Sequence, residues 1–290
     1  MIKPLMTYPG SKFWFVKGYM HLINWYIISN KIKTVVDVFG GSGVLILNIT
    51  PKVNRVYNDI DYRLYCVFDC LTKEEERNKL ISMFKYSFPH QQKFKEFLKI
   101  KKQEPKVYTA FKTLYILNTS FSSRVNPPSF APTSTKRPCN KYNTLKMRLL
   151  NVVSLSWDYF SAYNLQYESV LKKFGGPHTL FLLDPPYLSL THDFNLYHNS
   201  TFTLDDHKKM YTLLTESGSK YILFEINEGL SGIYGPPALK VSLKTTTNNV
   251  NKKKREVREE IIWTNIPSLF KKNEAQKTES LLEFTKGKDD

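Results

Sequence analysis

The chain has 290 residues, enough for one large domain or two moderate ones with a substantial core. Lys and Arg outnumber Asp and Glu by 42 to 26, a formal charge of +16 that favours polyanionic partners, although a basic surface can also serve solubility alone. Three cysteines (Cys66, Cys70, Cys139) and six histidines show no metal-ligand spacing, and the apolar stretch Phe13–Ile28 is broken by Lys17, His21 and Asn24 and falls short of the ~20 residues of a membrane span. The expectation is a soluble protein of a reducing, cytoplasmic compartment, without signal peptide, membrane contact or metal, its Cys66 and Cys70 buried as free thiols on one helix face.

In chain order, Thr34-Val35-Val36-Asp37-Val38-Phe39 reads as a first buried strand. It ends in Gly40-Gly41-Ser42-Gly43, and the sequence predicts a short apolar helix from Val44. Arg55-Val56-Tyr57 reads as a second strand, closing at Asn58-Asp59. Residues 73–121 are mostly helical in pattern, with Val107, Ala110, Phe111, Leu114, Tyr115 and Asn118 at helical spacing, and 122–143 read as a loop or hairpin. Strand signals resume at residues 179–183, 221–226 and 260–264. Between these last strands, Asp205 or Asp206 is placed to cap a helix. The basic run Lys252-Lys253-Lys254-Arg255 is a solvated edge or a phosphate contact, and 265–290 form a polar tail.

This order describes an α/β sheet interrupted by an inserted helical module: residues 1–66 and 155–290 form the sheet domain, and 67–154 the insert. Charge follows the same division. Residues 66–154 hold 17 basic and 6 acidic side chains, carrying +11 of the +16, and no Asp or Glu occurs from Pro105 to Trp157. The insert is expected to sit against phosphate.

The residues that carry chemistry cluster at strand ends. Leu180-Phe181-Leu182-Leu183 leads into Asp184-Pro185-Pro186-Tyr187, where two prolines force the backbone off the sheet. A carboxylate and an aromatic ring are thereby presented on a stiff turn at the sheet's carboxyl end, where open α/β sheets bind ligands. The turn Phe39-Gly40-Gly41-Ser42-Gly43 allows close backbone approach to a ligand, and the helix expected after it offers free N–H groups to a carboxylate. Asp59 can accept hydrogen bonds from ribose hydroxyls, or cap the next helix. No Gly-x-x-x-x-Gly-Lys-Ser/Thr sequence is present, which argues against a P-loop nucleotidase.

With Tyr8-Pro9-Gly10-Ser11-Lys12 upstream, these motifs complete an order that resembles the Dam-type (D12 class, alpha group) DNA adenine-N6 methyltransferases of bacteria and many phages. The resemblance covers most of the chain and implies a Rossmann-like class I S-adenosylmethionine-dependent fold with a mostly helical target-recognition insert. It implies S-adenosyl-L-methionine as cofactor, with Tyr8 and Lys12 at its methionine end, Asp37, Phe39, Gly40, Gly41, Ser42 and Gly43 around its pocket, and Asp59 on the ribose. Tyr167 falls where the family places an aromatic against the adenine; many members have Asp before it, and here Gln166 stands there. Asp184, Pro185, Pro186 and Tyr187 become the catalytic tetrad, acting on an adenine flipped out of double-stranded DNA.

Within the insert, Asn118-Thr119-Ser120-Phe121 and Arg124-Val125-Asn126 resemble the family's Asn-x-x-Phe and Arg-x-Asn stretches. Asn118, Ser120, Phe121, Arg124, Asn126, Lys136 and Arg137 are the DNA-contact candidates, and Lys106, Lys112, Lys141, Lys146 and Arg148 add positive charge. The family's next stretch survives only as Phe130 and Pro132, without its glycine, which leaves the target sequence open. The alternatives are the same chemistry on cytosine N4, RNA or a protein amide, or a DNA-binding protein without turnover. Asp rather than Asn at the tetrad's first position favours adenine in DNA, since amide methyltransferases commonly show N-P-P-Y.

Overall fold

The structure is a computed structural model that describes residues 1–6, 8, 10–99, 104–120, 130, 140–187, 202–245, 256–266 and 269–270. Its organising element is a sheet whose seven strands, among the described residues, run in the order β3-β2-β1-β4-β5-β7-β6. The strands are β1 (Thr34–Asp37), β2 (Asn54–Asn58), β3 (Phe160–Tyr163), β4 (Thr179–Leu183), β5 (Lys220–Glu225), β6 (Leu239–Thr245) and β7 (Glu256–Thr264). The first five are parallel, and β7 runs antiparallel between β5 and β6.

Central parallel strands are covered on both faces, so they read as unbroken apolar runs. β4 is the clearest case, with all five residues buried. One face packs on α1 (Phe13–Ser29) and contributes Val35, Leu180, Leu182, Ile222, Phe224 and Ile262 to a large core. The other contributes Val36, Val56, Phe181, Leu183, Leu223 and Trp263 to a smaller core, shared with α7 (Tyr167–Phe174), α8 (Leu204–Glu216) and α9 (Ser231–Tyr234).

From β1 the chain moves outward to β2 and β3, then returns to place β4 on the other side of β1. Loops therefore diverge at the carboxyl ends of β1 and β4 and leave a crevice, the usual ligand site of such sheets. Asp37 pairs in register with Leu182, so Asp184 stands two residues above it at the same edge.

Between β2 and β3 lie α2 (Tyr62–Thr72), α3 (Glu74–Lys85), α4 (Gln91–Phe97), α5 (Lys106–Thr119) and α6 (Asn140–Val153). α5 is buried almost all round, from Thr109 to Thr119 without interruption. Phe84, Phe97, Phe111, Tyr115, Tyr142 and Leu149 belong to the same hydrophobic core as Val35 and Leu180 of the sheet. Cys66 and Cys70 are buried free thiols on α2, and burial pushes both thiol pKa values up, that of Cys66 to about 11.

The structure corrects the sequence reading in several places. The helix expected from Val44 is a single 3-10 turn, Ile46–Asn48, ended as the chain approaches Pro51. Asn48 ties it to the amino terminus, donating to Val44 O at 2.8 Å and Ile2 O at 2.9 Å. So short a turn has no useful macrodipole, and any ligand amide contacts fall to the glycine turn itself. β3, β6 and α6 were not expected; residues 140–143 open α6 instead of ending a loop. Residues 122–129, 131–139, Lys252–Arg255 and 271–290 lie outside the described residues.

Candidate active site

At the carboxyl end of β4, Asp184 meets a lysine from the start of the chain. Lys12 Nζ lies 2.8 Å from Asp184 Oδ2 and donates also to Gly10 O at 2.8 Å. The lysine is 1% exposed, whereas the Asp184 side chain retains 22% exposure. Lys12 also stands over the Tyr187 ring, 5.0 Å from its centroid, in cation–π geometry. The Tyr187 hydroxyl donates to Glu260 Oε2 at 2.7 Å, and that oxygen is 3.9 Å from Lys12 Nζ. Pro185 is buried, while Pro186 and Tyr187 are half-buried.

Glu260 is a residue that sequence reasoning passed over, being taken only as the start of a strand. The available signal was a carboxylate directly before the apolar run Ile261-Ile262-Trp263: a buried Glu needs a partner, and partners of that kind gather at sites.

The glycine turn follows β1. Gly41 has φ +49°, and a Cβ there would come within 3.1 Å of the Tyr8 ring, so this backbone and that ring approach as only glycine permits. At Gly40 and Gly43 the missing side chains make room for the rings of Tyr57 and Phe68. Ser42 Oγ is 3.3 Å from Ser11 Oγ, which joins the turn to the Tyr8–Lys12 segment.

Asp59 closes β2 and faces the turn. Its Oδ2 accepts from the Gly41 amide at 2.8 Å and its Oδ1 from the Asp61 amide at 2.8 Å. Burial raises its carboxyl pKa to about 7, against the lowering effect of those two amides. The helix-capping role belongs to Asp61, whose side chain accepts from the Arg63 amide. Asn58 acts as a clamp: Nδ2 donates to Val38 O and Leu165 O, and Oδ1 accepts from the Leu165 amide, fixing the 164–166 loop beside β1.

Asp37 is fully buried, and neither carboxylate oxygen has a hydrogen-bond partner among the described residues. Burial first, then the charges of Asp184 and Asp59, hold its pKa well above the ordinary carboxylate range, against the lowering effect of the Ile46 amide, which approaches without completing a hydrogen bond, and of Lys12. Such an orphan requires explanation, because a buried acceptor without a donor costs roughly 1–3 kcal/mol.

Across the crevice the Tyr167 ring stacks on Phe39 with centroids 6.1 Å apart, and Phe202 meets both edge-on. Burial leads the effects raising the Tyr167 pKa, and its hydroxyl donates to Asp206 Oδ1 at 3.1 Å. The N-cap of α8 is Thr203, not Asp205 or Asp206 as expected; Asp206, three residues on, completes a reciprocal capping box with it. Gln166 is exposed at the amino end of α7, and its side chain makes no capping bond there.

The structure brings together Tyr8, Lys12, Asp37, Asp59, Tyr167 and Asp184 with the glycine turn; of the DNA candidates it describes only Asn118 and Ser120. Asn118, 1% exposed, donates to Leu114 O at 2.8 Å and Leu5 O at 3.3 Å. Ser120, buried, donates to Ile116 O and pairs with Phe130 in an antiparallel bridge. Both side chains are buried and stabilise the end of α5; the motif resemblance that made them candidates does not say which neighbours cover that face. Lys112 is bound by both Glu104 oxygens, and Lys106 by Asp69. Lys146 and Arg148 donate to the carbonyls of Ser87 and Pro4. Phe121, Arg124, Asn126, Lys136 and Arg137 lie outside the described residues, as does the side chain of Lys141.

Among the described residues, no group of three or more His, Cys, Asp or Glu is arranged to hold a metal ion, and no helix is long and apolar enough to cross a membrane.

The strand order, and an acidic crevice at the carboxyl ends of β1, β2 and β4, define the fold of a class I S-adenosylmethionine-dependent methyltransferase. Residues 8–228 match the family model described as D12 class N6 adenine-specific DNA methyltransferase, and the chain belongs to that family. It is an adenine-N6 DNA methyltransferase. Methyltransferases of this kind generally use S-adenosylmethionine. No curated protein sequence matches the chain significantly.

Proposed function

We propose that the chain transfers a methyl group from S-adenosyl-L-methionine directly to N6 of an adenine flipped out of duplex DNA, with Asp184 as the residue that prepares the amino group. The observation that carries this reading is the placement of Asp184: its carboxylate is kept in position by a buried ammonium, yet remains partly open to the crevice.

The residues fit the donor. Asp37 is a buried acceptor with no donor at full hydrogen-bond geometry among the described residues, and S-adenosylmethionine brings cationic and N–H groups to a crevice lined by Asp37, Asp59 and Asp184. Tyr8, Lys12 and the glycine turn would hold its methionine end, Asp59 its ribose hydroxyls, and Phe39 with Tyr167 its adenine. When bound, it supplies a methyl group already activated on a sulfonium.

What the protein's own residues must do is make a poor nucleophile reactive. The lone pair of an adenine amino group is delocalised into the ring. Asp184 and the Pro185 carbonyl each accept one N–H of that group, which favours tetrahedral nitrogen and stabilises the positive charge that develops on it. Lys12 covers one face of the Tyr187 ring, and the base stacks on the other. Stacking of this kind contributes ~1–3 kcal/mol and offsets part of the few kcal/mol needed to extrude a base. Residues 67–154 serve as the target-recognition insert, with Phe121, Arg124, Asn126, Lys136 and Arg137 as its contacts. The setting is the cytoplasm of a bacterial or phage-infected cell.

The test is incubation of the purified protein with methyl-tritiated S-adenosylmethionine and unmethylated DNA, followed by nucleoside analysis. Label is expected in N6-methyldeoxyadenosine and is expected to vanish in Asp184→Ala. Label in another nucleoside, or undiminished label in the variant, would overturn the reading.

A further inference from the structure

Asp184 presents a difficulty. The oxygen that Lys12 holds, Oδ2, belongs to the carboxylate that must accept an amino N–H and stabilise charge on nitrogen, and a lysine at 2.8 Å weakens it for both tasks. The lysine cannot simply be absent, since it is buried and orders the turn through Gly10 O. A second carboxylate resolves the conflict.

Glu260 sits on β7, which pairs antiparallel with β5 so that Ile261 faces Glu225, the last residue of β5. Glu260 is therefore one residue beyond, at the carboxyl edge of the sheet and on the same face as Ile262 and the Lys12 side of the core. Its side chain is 5% exposed, its Oε2 accepts the Tyr187 hydroxyl at 2.7 Å, and the same oxygen is 3.9 Å from Lys12 Nζ. Closing that gap to an ordinary charge-assisted bond takes a movement of about 1 Å by a flexible side chain.

We propose that Glu260 is a positioning residue for methyl transfer: it fixes the Tyr187 ring through its hydroxyl and takes over Lys12 when the adenine amino group engages Asp184. The lysine moves between two carboxylates and stays paired throughout. No proton is transferred and no bond is formed or broken. The inference rests on the methyltransferase reading above and adds to it a residue 76 positions beyond Asp184, outside the matched span of 8–228.

Glu260→Gln separates the two parts of this role, because an amide oxygen still accepts from Tyr187 but carries no charge to receive the lysine. Single-turnover methylation is expected to slow by about 10–100-fold, with DNA and S-adenosylmethionine affinities within about twofold of wild type. Tyr187→Phe, which keeps the ring and loses the hydroxyl, is expected to weaken DNA binding more than it slows the single-turnover step. In a Lys12→Met background, Glu260→Gln is expected to have no further effect on the rate, since no lysine remains to be moved. Glu260→Asp, folded and partly active, covers the case in which the glutamine variant fails to fold. A Glu260→Gln rate within twofold of wild type, or rate losses that multiply with those of Lys12→Met, would overturn the inference alone. A wild-type protein that transfers no methyl group to adenine in DNA would overturn the underlying reading, and this inference with it.

Discussion

Lys12 and Asp184 are separated by 172 positions in the chain and meet at 2.8 Å. The lysine precedes α1, the aspartate follows β4, and their contact joins the amino-terminal segment to the D-P-P-Y turn across the crevice. Removing the cation leaves a half-open carboxylate near the buried carboxylates of Asp37 and Glu260. Lys12→Met is therefore expected to destabilise the fold by about 1–3 kcal/mol, measured by urea denaturation, and to reduce methylation by more than the fraction of protein that unfolds. Asp184→Asn keeps size and loses charge; it is expected to retain the fold and to lose activity at least 100-fold in the same assay.

Asp59 makes stability depend on pH in a particular direction. Its folded pKa of about 7 lies above its unfolded value of about 3.9, so the folded state keeps a proton that the unfolded chain releases. This contribution is fully present below about pH 4 and is lost as pH rises through 7. Thermal melts of wild type and Asp59→Asn are expected to converge at pH 4, with the variant gaining relative stability toward pH 8. A ligand hydroxyl donating to Asp59 favours the carboxylate, so binding at pH 7 is expected to release part of a proton. Calorimetry in buffers of different ionisation enthalpy detects that release, and Asp59→Asn abolishes it.

His207 acts in the opposite sense. It is fully buried between Phe202 and Tyr234, its Nδ1 is 3.2 Å from the Tyr234 hydroxyl, and burial lowers its pKa to about 4. The unfolded chain takes up a proton near pH 6.5 that the folded protein refuses. Stability from this residue is present above about pH 6.5 and is lost as pH falls toward 4, by roughly 3 kcal/mol in all. His207→Gln is expected to be less stable at neutral pH and to lose less on acidification.

The lysines of the insert divide into two kinds. Lys112 is nearly buried and bound by both oxygens of Glu104. Lys112→Met is expected to cost about 1–3 kcal/mol of stability while leaving the salt dependence of DNA binding unchanged. Lys136→Ala and Arg137→Ala are each expected to reduce the slope of log affinity against log salt by about one, the signature of one lost phosphate contact. Fluorescence anisotropy over a salt series separates the two cases.

These contrasts show how far local sequence carries. β4 and the D-P-P-Y turn were legible because four consecutive apolar residues and two prolines allow little else. The placing of the glycine turn and Asp59 at the carboxyl ends of β1 and β2 was legible because strand ends have a fixed relation to a parallel sheet's crevice. β3 was missed because four mostly half-buried residues leave no run or alternation, and β6 because an edge strand is not obliged to be apolar. Asn118 looked functional by its motif, but its exposure depended on how α5 packs against the 1–6 segment, more than a hundred residues away. Glu260 showed only as a carboxylate before an apolar run, and its role was hidden for the same reason: Tyr187 and Lys12 come from distant parts of the chain.

The burial of α5 on nearly every side has a consequence for how such an enzyme acquires new targets. Phe111 and Tyr115 complete the interior that the sheet begins, so lifting the whole 67–154 segment out and grafting in a relative's would open a hole beneath the catalytic half. Specificity in this lineage is therefore expected to drift by changes of individual side chains on a permanent scaffold, and hybrids made by exchanging the whole segment are expected to fail as folded proteins before they fail as readers of DNA.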